Sequence, residues 1–136
     1  MRVIKTTETF ELKVNEVTFK LRPLTKEQKK EVQSVVRMKS GVETSSALDM
    51  AEVALAYAVA DVDGLEDDKG TWKPNIVSGK LDSDSIDVLL NLPFNRPLLD
   101  TAFKLVGEGV PTQLLDDSGN PYEGVEIALP LQEKKD

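Results

Sequence analysis

FELKVNEVTFKLRPLTKEQ, the stretch Phe10–Gln28, decides the fold of this chain. Two runs of alternating apolar and polar residues flank Asn15-Glu16, a pattern typical of two strands joined by a tight turn. With a two-residue turn, one face of this hairpin carries six apolar side chains: Phe10, Leu12, Val14, Val17, Phe19 and Leu21. Asn15 tolerates a positive φ, but Glu16 suits the second turn position less well than glycine, so a loop one residue longer stays open.

The hairpin leads directly into a helix. Pro23 interrupts the strand because it has no N–H to donate, and Thr25 with Gln28 has the spacing of a capping box. We therefore predict a helix over 26–39, with Gly41 just past its end. Its first half carries three lysines, which belong either to a solvated face or to a basic surface that receives an acidic partner segment. On the second interpretation the candidate partner-binding residues are Lys26, Lys29 and Lys30.

The most apolar helix is predicted over 47–60, with Ser45 or Ser46 as its N-cap. Its residues are apolar nearly all round, which is typical of a helix buried on most sides. We expect it to lie against the apolar face of the hairpin. An alternative is that residues 57–62 are already extended.

Two shorter helices are predicted in the second half of the chain. One covers 85–92, is capped from the group 82–84 and is stopped by Pro93. The next follows a cap at Asn95 or Arg96 and runs to residue 106, since its apolar residues recur on one face. Those residues are Leu98, Leu99, Ala102, Phe103 and Val106. The fold class predicted is therefore α+β, an N-terminal β-hairpin packed on a body of about four helices.

Between these helices lies an acidic stretch, 61–75, with turn signals at Asp63-Gly64 and Lys69-Gly70. A short hairpin or loop is expected there. Its carboxylates do not follow the spacing of a calcium-binding EF-hand loop: counted from Asp61, the glycine falls at position 4 instead of 6, position 5 is Leu65 and position 12 is Trp72. We interpret the stretch as a solvated loop, which Trp72 anchors to the body of the domain.

From residue 108 onward proline and glycine recur, and seven acidic side chains stand against two basic ones. The predicted organisation is one domain over 1–107 followed by an acidic segment over 108–136. This segment is either a tail that orders on a partner or a loose hairpin that pairs 114–115 with 125–129, and its composition favours the tail. Leu114 and Leu115 are its candidate partner-binding residues.

Composition favours a binding or structural protein. The chain has no histidine and no cysteine, so the commonest general base and the common transition-metal ligands are missing. We expect no enzyme, no cofactor and no metal site. A net charge of −7 argues against nucleic acid as a partner, and no apolar run reaches membrane-spanning length. The expected location is a reducing cytoplasm.

The segment 19–25, which reads FKLRPLT, resembles the start of tail assembly chaperones of long-tailed bacteriophages. In that family a small domain opens with a hairpin of this kind and continues as a mostly helical body. The segment 89–93, Leu-Leu-Asn-Leu-Pro, and the amphipathic helix after it also resemble the family.

The resemblance implies a chaperone in the host cytoplasm that binds the tape-measure protein and the tail-tube subunits until the tail polymerises. It leaves a homo-oligomer possible. The alternative is a structural virion subunit of the tail tip, baseplate or head–tail connector, in which the hairpin donates an edge strand to a neighbouring sheet.

Overall fold

A computed structural model describes residues 3–38 and 43–130 of the chain. Its elements in chain order are β1 (Phe10–Val14), β2 (Val17–Leu21), α1 (Lys26–Met38), α2 (Glu43–Ala58), β3 (Val59–Asp63), β4 (Glu66–Asp67), β5 (Gly70–Thr71), β6 (Ile76–Val77), β7 (Lys80–Leu81), α3 (Ser83–Leu90), α4 (Arg96–Gly107) and β8 (Val125–Ala128). The predicted α+β class, with an N-terminal hairpin and four helices, is confirmed.

The hairpin has the predicted register. Val14 pairs with Val17 across a two-residue loop, so the longer loop is not formed. Asn15 has a φ of 54°, the left-handed conformation that this turn position requires. All six apolar residues of the hairpin face are buried.

β1 and β2 are the central strands of a four-stranded antiparallel sheet with the order β3-β2-β1-β8. The buried hairpin face belongs to one core cluster with residues of α2 and α4, namely Ala54, Leu55, Ala58, Leu98, Ala102 and Leu105. The opposite face of the sheet carries polar side chains such as Glu11, Lys13 and Lys20. One face of the sheet is therefore core and the other meets solvent, as its alternation predicts.

The capping box at the start of α1 is formed in both directions. The Thr25 N–H donates to Gln28 Oε1 at 2.9 Å, and the Gln28 N–H donates to Thr25 Oγ1 at 3.1 Å. The helix begins at Lys26 as predicted. The predicted end at residue 39 and Gly41 lie outside the described residues.

α2 begins at Glu43, so the predicted N-cap at Ser45 or Ser46 is wrong, and it ends at Ala58. Strand β3 starts at Val59 and pairs with β2, so the alternative of an extended segment is correct from residue 59 on. The Arg22 N–H donates to the Ala58 carbonyl at 2.7 Å, and this bond fixes the helix end beside the sheet. Pairing with β2 thus overrides the helical pattern of the last residues.

α3 begins at Ser83, two residues before the predicted start, because Asp82 is the N-cap and accepts the Ser85 N–H at 2.8 Å. α4 begins at Arg96 after Asn95, whose side chain donates to the Leu90 carbonyl instead of capping the helix. The buried face of α4 is centred differently from the prediction. Thr101 and Leu105 are buried with Leu98, Ala102 and Val106, whereas Leu99 and Phe103 are only half-buried.

The C-terminal segment differs from both predicted forms. Residues 125–128 form β8, which pairs with β1 and not with 114–115, while Leu115 forms a bridge to Pro121. The boundary predicted after residue 107 therefore does not separate folded chain from tail, since the ordered sheet includes β8. Pairing with β1 supplies the strand hydrogen bonds of residues 125–128, which the loose hairpin would have drawn from 114–115. Residues 131–136 of the predicted tail lie outside the described part of the chain.

The acidic stretch 61–75 begins in β3 and then forms one small hairpin, β4–β5, as expected, and a second small hairpin, β6–β7, follows it. Trp72 is half-buried against the core cluster and donates its backbone N–H to the Leu65 carbonyl at 2.9 Å, as expected of an anchor. Across residues 3–38 and 43–130, no helix is long and apolar enough to cross a membrane.

Candidate protein-binding site

A groove of about 230 Å³ lies where α1, α2, β7 and α3 meet. Its lining combines apolar and charged side chains: Glu31, Glu52, Val53, Ala56, Tyr57, Lys80, Leu81, Ser83 and Ile86. Ala56 and Leu81 are buried, while Val53, Tyr57 and Ile86 are half-buried. The groove thus has an apolar floor, with charged side chains from three separate elements around it.

α2 supplies most of this floor through its helical repeat. Val53, Ala56 and Tyr57 stand at positions i, i+3 and i+4, which share one face of a helix. Ala56 has the smallest side chain of the three, and this leaves space between α2 and the elements opposite.

Tyr57 is the best-defined polar group of the groove. Its hydroxyl donates to Glu31 Oε1 at 2.5 Å and so links α2 to α1. This hydrogen bond, helped by burial and by the carboxylate charge, raises the pKa of Tyr57. Tyrosine is protonated at neutral pH, so this phenol is a hydrogen-bond donor there.

Lys80 completes this cluster. Its ammonium lies 5.1 Å from the centroid of the Tyr57 ring, within the range of a cation–π interaction. The side chains of Glu31, Tyr57 and Lys80 thus form one connected charged and aromatic wall. Such a wall suits recognition of a chain with both apolar and charged side chains.

Elements that border the groove also carry exposed apolar side chains. Val77 of the β6–β7 hairpin is 57% exposed and Leu48 of α2 is 52% exposed, and Ile76 and Val88 are exposed as well. None of these four lines the groove itself, but they lie on α2, on α3 and on the hairpin whose strand β7 lines it. The mixed apolar and charged lining makes this groove the candidate protein-binding site.

The residues predicted from sequence divide between surface and core. Lys26 and Lys30 are exposed on α1 and Lys29 is half-buried, so all three lie on the helix that also supplies Glu31. Leu115 is 48% exposed, but Leu114 is only 4% exposed and belongs to the core cluster. Leu114 is therefore a packing residue, contrary to its assignment as a partner contact.

The sequence pattern does not indicate a role for Tyr57 or Lys80 in binding. The apolar pattern of 47–60 predicts a helix buried nearly all round and gives Tyr57 no separate role, although a tyrosine in such a helix needs a partner for its hydroxyl. Lys80 lies in a two-residue strand that no pattern indicated. Its position over the ring depends on the β6–β7 hairpin and on the packing of β7 against α2.

Metal-binding groups and similarity to known proteins are two further indicators of function. No group of three or more potential metal-ligating side chains occurs within residues 3–38 and 43–130. Comparison with protein-family models, curated proteins and solved structures finds no match to the chain.

Proposed function

We propose that this chain is a non-enzymatic assembly chaperone whose groove between α1, α2, β7 and α3 binds an amphipathic helical segment of its client. The observation that carries the proposal is the apolar floor beside charged side chains of both signs, with exposed apolar residues on the bordering elements. An amphipathic helix lays its apolar face into such a groove and its charged residues along the rim.

The charged residues around the groove indicate which client side chains would bind beside them. Glu31 and Glu52 favour basic residues on one side of the client helix, and Lys80 favours an acidic residue near the Tyr57 ring. The exposed lysines at 26 and 30 extend the charged surface along α1. Contacts of this kind determine orientation and partner choice more than raw affinity.

We further propose that the clients are the tape-measure protein and the tail-tube subunits of a long-tailed bacteriophage, bound in the host cytoplasm. This part rests on the resemblance of the junction 19–25 to tail assembly chaperones. The formed capping box at Thr25 is consistent with that resemblance, because the junction is a strand that passes directly into a capped helix.

The groove is tested by co-expression of the chain with the tape-measure protein from the same genome. We expect the two to co-purify and Lys80→Glu to reduce recovery of the client strongly, since it reverses a charge that lines the groove beside Tyr57. Lys69→Glu is the matched control, because Lys69 is exposed and is not among the residues that line the groove. Equal client recovery with both variants would overturn the groove assignment.

A second candidate function is a structural virion subunit, and the unpaired outer edge of β8 favours it, since such edges join neighbouring sheets. Mass spectrometry of purified particles separates the two proposals. A chaperone is absent from particles and is recovered with its client from the producing cell. Stoichiometric recovery of this chain from particles would overturn the chaperone proposal.

A further inference from the structure

The two edges of the sheet differ in how their backbone groups are satisfied. On β3, the residues Asp61 and Asp63 pair with β2, so the backbone N–H and C=O of Val62 point away from the sheet. The Asp61 carboxylate accepts the Val62 N–H at 2.9 Å, and the Lys73 ammonium donates to the Val62 carbonyl at 3.0 Å. Side chains of the same chain thus close the β3 edge against another strand.

The edge at β8 is open. The Asn15 N–H donates to the Gly124 carbonyl at 2.7 Å, so alternate residues from Gly124 onward direct their backbone groups toward β1. The groups of Val125 and Ile127 consequently point outward. Within residues 3–38 and 43–130, no hydrogen bond outside the β1–β8 ladder reaches either residue. A groove of about 300 Å³ lies beside this edge and is lined by Val125, Glu126 and Ile127 together with Pro121 and residues of the segment 112–114.

We propose that β8 pairs antiparallel with β8 of a second copy of this chain, with the two-fold axis at Ile127. The segment 125–129 reads Val-Glu-Ile-Ala-Leu. Around that axis, Ile127 faces Ile127 of the second copy, Val125 faces its Leu129, and Glu126 faces its Ala128. The two sheets then join into one antiparallel sheet of eight strands.

Hydrogen bonding and charge select this register over its neighbours. Outward backbone groups occur at alternate residues, so an axis that passes between two residues would set outward groups against inward ones. An axis at Glu126 would place two carboxylates directly opposite each other, which is destabilising. An axis at Ala128 would set Val125 against residue 131, which lies outside the described residues. The axis at Ile127 uses the outward groups of 125, 127 and 129 and sets Glu126 against a small neutral side chain.

Cysteine cross-linking tests the register, because the natural chain has no cysteine. Under mild oxidation Ile127→Cys is expected to form a disulfide-linked dimer, since directly opposed residues lie within disulfide reach. Glu126→Cys is the matched control: around the proposed axis its two copies lie diagonally across the strands, beyond the usual reach of a disulfide. Faster cross-linking of Glu126→Cys than of Ile127→Cys would overturn the proposed register.

Sedimentation equilibrium of the full chain tests association itself. We expect a reversible dimer, and we expect Ile127→Pro to raise its dissociation constant by about tenfold to a hundredfold through loss of two symmetric hydrogen bonds. The Ile127 N–H points away from β1, so this proline spares the β1–β8 ladder, which far-UV circular dichroism checks. Glu126→Ala is expected to leave the dimer unchanged. A wild-type chain that remains monomeric at its highest soluble concentration would overturn the proposal, without affecting the client groove.

Discussion

The Tyr122 hydroxyl donates a hydrogen bond of 2.7 Å to Asp100 Oδ2, across a separation of 22 residues. This bond joins the C-terminal segment to α4, and Arg96 strengthens the connection by donating to both Asp100 and Asp117.

We predict that Tyr122→Phe lowers the free energy of unfolding by about 1–2 kcal/mol, because Asp100 loses a hydrogen-bonded partner. Urea unfolding measures the change. Tyr57→Phe is a control that leaves the C-terminal segment attached, and an unchanged stability of Tyr122→Phe would contradict the role given to this bond.

The raised pKa of Tyr122 leads us to predict a loss of stability at high pH. Burial, with the hydrogen bond to Asp100, raises the pKa of Tyr122 to about 12 from its ordinary value of 10.0. The folded chain therefore keeps this proton between pH 10.0 and about 12, while the unfolded chain has lost it. The contribution is fully present below pH 10.0 and is lost as the pH rises toward about 12.

The chain has two tyrosines, so Tyr57→Phe isolates Tyr122 for titration by phenolate absorbance. The expected midpoint in the folded protein is about 12. A midpoint at the ordinary tyrosine value, with the fold intact by circular dichroism, would show that Asp100 does not hold the phenol. In matching unfolding experiments, Tyr122→Phe should show a smaller loss of stability at high pH than the natural chain.

The capping box of α1 gives a third prediction. Thr25→Ala leaves the Gln28 N–H without its partner and is expected to cost about 1 kcal/mol of stability. Thermal unfolding measures this, with the exposed Gln33→Ala on the same helix as control. Because the two bonds are reciprocal, Thr25→Ala and Gln28→Ala should be less than additive when combined. Strict additivity would indicate that the two residues act independently.

Alanine substitutions at Gly64 and Gly70 distinguish the cost of backbone strain from the cost of steric overlap. Both have a positive φ, of 101° and 120°, which side chains other than glycine disfavour. A Cβ at Gly64 would lie 2.4 Å from the Glu16 carbonyl oxygen in the hairpin turn, whereas a Cβ at Gly70 would meet no atom within 4 Å. We expect Gly70→Ala to cost about 1–2 kcal/mol and Gly64→Ala clearly more. Equal losses in urea unfolding would show that the Glu16 contact is unimportant.

Truncation tests the assignment of β8 to the sheet. Deletion of residues 110–136 removes β8 and also Leu114 from the core, and the loss of a buried leucine alone costs about 2–5 kcal/mol. We expect this variant to unfold at a much lower temperature than the natural chain. Deletion of 131–136 is the control, because it removes no contact described for the sheet. A stable 1–109 fragment would instead support the tail interpretation of the sequence.

How far the sequence predicted this protein depends on the range of the contacts involved. The sequence predicted the register of β1 and β2, the helix start at Lys26 and the amphipathic pattern of α4. Each depends on residues a few positions apart, through alternation, a turn or a cap. The candidate groove could not be predicted from the sequence, because Glu31, Tyr57 and Lys80 come together only after α1, α2 and β7 have packed.

The sequence by itself thus determined the hairpin, the capped first helix and the α+β class. Tertiary structure alone decided that α2 gives way to β3 at Val59, that Leu114 is buried, and that β8 pairs with β1 across more than a hundred residues. The physical reason is that an edge strand has weak local preference and gains its hydrogen bonds only from a sheet that already exists. Closure of the β3 edge by Lys73, and the open edge at β8, follow from the same long-range assembly.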